Sequence, residues 1–234
     1  RMAFESAEIC DDISQHLMHC LTQSPQWAVR EGACCTFGLM ALLKPTDRPK
    51  ALIELGPINA LTSTSIASTD FDANASTASI GSSVSSGDHV IGSVMRHGGV
   101  SALLRAVRDD EFDVGATACL ALGQLANEGG EVGAHCVLES EGKRGAKGAK
   151  VLANAMGHMD GGVRTNAAMA LGALGSHTRE GFEAVQEAFG LSSMVSALND
   201  KILSVRTALA FSIGQVVSGS ASQLVTAPVV EAHD

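Results

Sequence analysis

The sequence predicts an all-α fold, a superhelical stack of about five copies of one helical unit. Three observations predict it. A Val and a Gly recur nine residues apart at the head of similar apolar stretches, these stretches return at a nearly constant period, and the composition favours small side chains over aromatic ones. Self-similarity at a period of 20 to 50 residues, on the order found for helical solenoids, is the strongest single indication of a repeat architecture.

The first observation rests on four segments: VREGACCTFGLMAL from Val29, VGATACLALGQLA from Val114, VRTNAAMALGALG from Val163 and VRTALAFSIGQVV from Val205. Their glycines are Gly38, Gly123, Gly172 and Gly214, each preceded by Phe37, Leu122, Leu171 or Ile213. A fifth, eroded copy starts at Asp72, with Ile80 and Gly81. Within a copy the apolar positions fall near offsets 0, 4, 8 and 11, one face of a helix, as in Val163, Ala167, Leu171 and Leu174. Glycine inside a helix costs about 1 kcal/mol relative to alanine, so its recurrence calls for close approach of a neighbouring helix or for a helix end.

The starts at 29, 72, 114, 163 and 205 give steps of 43, 42, 49 and 42 residues. A second glycine landmark opens another apolar helix in each unit: Gly56 (GPINAL), Gly99 (GVSALLRAV), Gly148 (GAKVLANAM) and Gly190 (GLSSMVSAL). It sits between two apolar runs, where a C-cap glycine belongs. Gly123 to Gly148 spans 25 residues where the other units span 18, so an insertion falls near residues 139–147. One unit reads helix, glycine corner, helix, short polar turn, helix.

The third observation is compositional. The 234 residues are 45% hydrophobic yet contain no Tyr, one Trp and seven Phe, and small side chains bury enough area only when helices approach closely. The formal charge of -9 argues against a nucleic-acid backbone binder. Six cysteines, at 10, 20, 34, 35, 119 and 136, show no CxxC and no zinc-type Cys/His spacing, and read as reduced thiols packed as small hydrophobes. No apolar run is long enough to cross a membrane and no secretory signal opens the chain, so the expected compartment is intracellular, first the cytoplasm, with a cilium or an organelle as alternatives.

This layout resembles the armadillo family over nearly the whole chain, with GVSALL as its most armadillo-like landmark; HEAT repeats share the same physics, and the Ala-Leu-Gly runs from Leu120 to Gly123 and Met169 to Gly172 also resemble the repeats of large proteasome scaffold subunits. The resemblance implies a right-handed superhelical armadillo-type solenoid, residues 1–234 forming one domain, with third helices starting near 29, 72, 114, 163 and 205. It also implies a groove lined by those third helices near offsets 6 and 10. Offset 6 holds Cys35, Ala78, Leu120, Met169 and Phe211, and offset 10 holds Leu39, Ser82, Gln124, Ala173 and Gln215. Importin relatives place Trp and Asn there to hold basic peptides; this chain has no such ladder. The candidate partner-binding residues are therefore Leu120, Gln124, Met169, Phe211 and Gln215.

The insertion carries Lys143, Arg144 and Lys147, a basic cluster for an acidic partner or simply a solvated loop. Residues 62–88 are rich in Ser, Thr and Ala and read either as a weakly packed unit or as a modifiable segment. His16 and His19, three apart beside Cys20, have the nearest thing to metal-ligand spacing but no partner of predictable geometry, so no metal, cofactor or catalytic set is expected. Neither end carries an evident cap, as expected of a segment of a longer chain or of one buried in an assembly. The expected function is a non-enzymatic protein-binding scaffold or accessory subunit. The rivals are a chaperone-regulating armadillo factor, an axonemal armadillo component, and a helical-repeat enzyme such as a pigment lyase.

Overall fold

The computed structural model describes residues 2–42 and 87–226, with side chains placed for residues 8–42 and 91–220. Its helices are α1 (Met2–Gln23), α2 (Trp27–Leu42), α3 (Gly87–Arg96), α4 (Gly99–Ala106), α5 (Phe112–Glu128), α6 (Gly130–Glu139), α7 (Gly148–Ala155), α8 (Gly161–His177), α9 (Arg179–Ala188), α10 (Leu191–Ala197) and α11 (Leu203–Thr226). The triplets α3–α4–α5, α6–α7–α8 and α9–α10–α11 each repeat one layout. In each, a helix turns a corner into a short apolar helix, which a polar turn joins to a long third helix. α1 and α2 precede them, with α1 lying against α2, α3 and α4.

The corner has its stated cause at two places. Gly190, between α9 and α10, has φ of 77°, and its amide donates to the Val185 carbonyl, closing the end of α9 as a left-handed glycine does. Between α3 and α4 the left-handed residue is Gly98, with φ of 72°, and the predicted landmark Gly99 is instead the first residue of the helix that follows. Gly148 likewise opens α7, where any side chain would collide with the Val137 carbonyl of α6. Gly56, the copy at Asp72 and nearly all of the Ser/Thr-rich stretch lie outside the described residues.

The long helices stack side by side: α2 on α5, α5 on α8, α8 on α11. Consecutive third helices along the described stack are thus those headed by Val29, Val114, Val163 and Val205. Their contact lines are built from small residues. A Cβ at Gly123 would stand 3.2 Å from the Ala170 Cα, one at Gly38 the same distance from the Ala121 Cα, and one at Gly172 only 2.8 Å from the Ser212 Cα. Close approach, not a helix end, explains the recurring glycine. The large residue before it fills the space beneath: Phe37, Leu122 and Leu171 are fully buried, each worth about 2 kcal/mol of apolar burial. Helix starts are fixed locally, with Asp160 accepting from the Val163 amide at 2.9 Å and Thr178 from the Gly181 amide at 2.9 Å.

Candidate partner-binding surface

Leu120, Met169 and Phe211 occupy the same position on α5, α8 and α11. Because those helices are neighbours in register, the three side chains form one row across the stack. Leu120 is half-buried, whereas Met169 and Phe211 are 36% and 44% exposed. The row therefore widens into open apolar surface toward α11.

Gln124 and Gln215 are half-buried and turn inward: their carboxamide oxygens lie over Gly38 and Gly172, the landmark glycines of the preceding third helices. Part of each amide thus fills the gap left by a missing side chain. Cys35, at the row's position on α2, is half-buried with its thiol pushed up by burial and by Glu31. Glu31, one turn earlier, is itself raised by burial and by the Asp113 carboxylate, with a Thr117 hydrogen bond acting against them.

The insertion is a built turn. Glu141 and Lys147 pair as an isolated antiparallel bridge, the Gly142 amide donates to the Ala146 carbonyl at 2.8 Å, and Arg144 is left-handed at φ of 60°. Lys147 Nζ donates to the Glu139 carbonyl at 3.0 Å and meets the Glu139 and Glu141 carboxylates, so it closes the turn on itself. Lys143 borders a concavity of about 690 Å³ with Arg30, Arg105, Arg108, Asp109 and Asp110. Of the insert cations, Lys147 is engaged within the loop, while Lys143 borders the turn before α5, and all three side chains are exposed.

That turn holds a feature that sequence reading missed. Arg30, the second residue of the repeat motif on α2, donates from Nε and Nη2 to both Asp109 oxygens at 2.8 Å, joining its unit to the next. Its Nη1 caps the carbonyls of Ser24 and Pro25, both at 3.1 Å. Arg164 on α8 repeats the arrangement, bonding both Asp200 oxygens at 2.8 and 3.0 Å and the carbonyls of His158 and Met159. Such forked pairs are among the stronger charge-assisted bonds. Burial pulls the Asp109 carboxyl upward, but the Arg30 bonds and the Glu111 amide outweigh it and leave it below the ordinary carboxylate range. The Arg164 bonds and the Ile202 amide lower Asp200 likewise. The signal was available: Arg follows Val at 30, 164 and 206, and Asp stands five residues before Val at 109 and 200.

At the middle joint both partners are replaced together, by Gly115 and His158. There Asn166 Nδ2 donates to the Ala116 carbonyl at 2.8 Å, and the Phe112 and His158 rings meet edge to face at 5.1 Å.

None of the six cysteines is in a disulfide. Burial drives the Cys34 thiol far above its usual range, with Asp109 the next contribution, and pushes Cys119 up to about 12, away from nucleophilic reactivity. Among the described residues no group of three His, Cys, Asp or Glu side chains is placed to hold a metal, and no helix is long and apolar enough to cross a membrane.

No family model and no curated protein sequence matches the chain. Solved structures do. A computationally designed armadillo repeat protein for modular peptide recognition superposes with a TM-score of 0.54 at 15% identity, covering 88% of this chain and 70% of that one. An engineered protein known from its crystal structure gives 0.51 at 19% identity over 92% and 89%, and a second engineered protein gives 0.50 at 20% over 96% and 59%. At these identities the likeness establishes the fold, and with the internal repeat it identifies this chain as a solenoid of armadillo-type helical repeats.

Proposed function

We propose that this chain is a non-enzymatic scaffold that holds a protein partner along the row presented by its third helices, within a larger assembly in the cytoplasm. The observation that carries the reading is the alignment of Leu120, Met169 and Phe211 on successive helices, opening into exposed apolar surface at Met169 and Phe211. Exposed Met and Phe side chains in line supply adaptable apolar contacts to a polypeptide crossing the helices. The designed armadillo protein that shares the fold is described as built for modular peptide recognition, which supports reading the same face here as a polypeptide-binding one. The buried thiols point away from covalent chemistry, since both Cys34 and Cys119 are held as protonated core groups.

The test is affinity capture from the native source with the wild-type chain and a Met169→Glu/Phe211→Glu variant, read by mass spectrometry. Both positions are exposed, so the variant is expected to keep the wild-type far-UV circular dichroism. A defined set of partners held by the wild type and lost by the variant supports the row; partners that survive the charges move the contact to another face and end this reading.

A further inference from the structure

The repeat supplies its own control for which side chains serve the fold and which do not. Nine and six residues before the motif valine, three of the copies carry Cys20 and Gln23, Asn154 and Gly157, and Ser196 and Asn199, all uncharged. Before Val114 the same two places hold Arg105 and Arg108, and both are exposed. The turns after α7 and α10 close without a cation at either place, so neither arginine is needed to finish a helix end.

The insertion, the other departure from the repeat, comes to rest beside them. Its Gly142 lies so close to the end of α4 that a Cβ there would stand 3.3 Å from the Leu104 Cβ. The bridge between Glu141 and Lys147 and the left-handed Arg144 hold the shape of the turn. Lys143 is thereby carried to the concavity of about 690 Å³ that Arg105 and Arg108 also line.

The charges in that concavity do not cancel. Arg30 and Asp109 engage each other, the fork taking both carboxylate oxygens at 2.8 Å. Burial raises the Asp109 carboxyl, and the Lys143 charge joins the Arg30 bonds and the Glu111 amide in bringing it down, so the lysine stands within electrostatic reach of the turn. What remains is Arg105, Arg108 and Lys143 against Asp110, all four exposed. Among the described residues none of these three cations makes an ion pair. On a chain of formal charge -9, departures from the repeat that each bring a cation to one place mark sequence that serves something other than the fold.

We propose that this concavity binds a phosphate monoester, its oxygens held by the guanidinium groups of Arg105 and Arg108 and by the Lys143 ammonium. A dianion matches the surplus of positive charge that Asp110 leaves uncompensated, and a carboxylate with its single charge matches it less well. Guanidinium forks bond the oxygens of a phosphate in pairs, and the lysine adds a point charge on a flexible stem. The site lies at the turn before α5, apart from the row of Leu120, Met169 and Phe211, and the inference stands or falls without that row.

The test titrates the full chain with inorganic phosphate, with a short phosphoserine peptide and with the same peptide unphosphorylated, following arginine Nε–Hε signals by NMR and heat by calorimetry. The phosphate-bearing ligands are expected to shift the signals that Arg105→Gln and Arg108→Gln remove, and the double variant is expected to bind about tenfold or more weakly. Asp110→Asn removes the opposing charge and is expected to tighten binding, a gain that misfolding does not produce. Lys150→Gln, an exposed cation outside the concavity, is expected to leave the affinity unchanged. A phosphopeptide that binds more tightly than inorganic phosphate makes the source a modified polypeptide, and an equal or weaker affinity makes it free phosphate; either supports the site. The proposal is overturned by a parent that binds neither phosphate-bearing ligand, by binding that survives the double substitution or is lost equally in Lys150→Gln, by an Asp110→Asn variant no tighter than the parent, or by equal binding of the unphosphorylated peptide.

Discussion

If the recurring glycine exists for close approach, then one substitution made at equivalent positions must change sign along the stack. Gly→Ala in a helix gains about 1 kcal/mol of propensity wherever the new methyl meets nothing. That is the situation at Gly214, where no atom lies within 4 Å of the added Cβ. At Gly172 the same methyl would stand 2.7 Å from the Ser212 Cβ and 2.8 Å from its Cα, with the Gln215 oxygen also at 2.7 Å. The glutamine can swing away, but the α11 backbone must retreat, and overpacking of this kind costs about 1 to 3 kcal/mol. Subtracting the propensity gain leaves Gly172→Ala neutral to about 2 kcal/mol destabilised, so the two variants should differ by about 1 to 3 kcal/mol. Gly123, at 3.2 Å from the Ala170 Cα, belongs between them. Urea unfolding followed by circular dichroism at 222 nm measures the series. Equal effects at Gly172 and Gly214 would refute the close-approach explanation.

Further outcomes follow from the same geometry. Leu171→Ala empties a fully buried site and should cost about 3 kcal/mol by urea unfolding. Asp109 and Asp200 titrate below their ordinary range in the folded state, so their stabilisation is complete above an unfolded Asp pKa near 3.8 and is lost as pH falls from there through the folded values. An Arg30→Met/Arg164→Met variant should therefore be less stable than wild type at neutral pH, with the gap closing in acid melts below about pH 4. Glu31 has the opposite sign: its raised pKa favours the protonated folded form, an advantage present in acid and lost as pH rises through the folded value. Glu31→Gln should thus stabilise the chain at pH 7 and lose its advantage in acid, as read by thermal melts at both pH values. In mass-spectrometric alkylation at about pH 8, Cys34 and Cys119 should react only once urea opens the stack.

The period, the long third helices and the buried face were legible because they depend on the local spacing of apolar residues, which a helix fixes at 3.6 residues per turn. Val163, Ala167, Leu171 and Leu174 were assigned to one face from spacing alone and all are buried. The row of Leu120, Met169 and Phe211 was also placed by register, yet its exposure was not. How far each side chain stands out depends on the neighbouring unit, and among the described residues α11 has a long helix packed against it on one side only. Gln124 and Gln215 show the limit of reading single positions. Register assigns each to the groove, but the missing side chain of a glycine on the previous helix draws its oxygen inward. The arginine–aspartate joint went unread for a different reason: its partners are 79 and 36 residues apart in sequence, and only comparing columns across copies brings them together.

The middle joint shows why those columns carry meaning. Losing Arg alone would strand an aspartate, and losing Asp alone would leave a half-buried guanidinium with two idle donors; either costs more than losing both. Gly115 and His158 are the pair of replacements that avoids both costs, with His158 still accepting the Asp160 amide and so keeping the turn. The joint thus behaves as a single unit of sequence, present or absent as a whole. Arg206 keeps the turn-capping half of the same device, donating to the Asp200 and Lys201 carbonyls of its own turn.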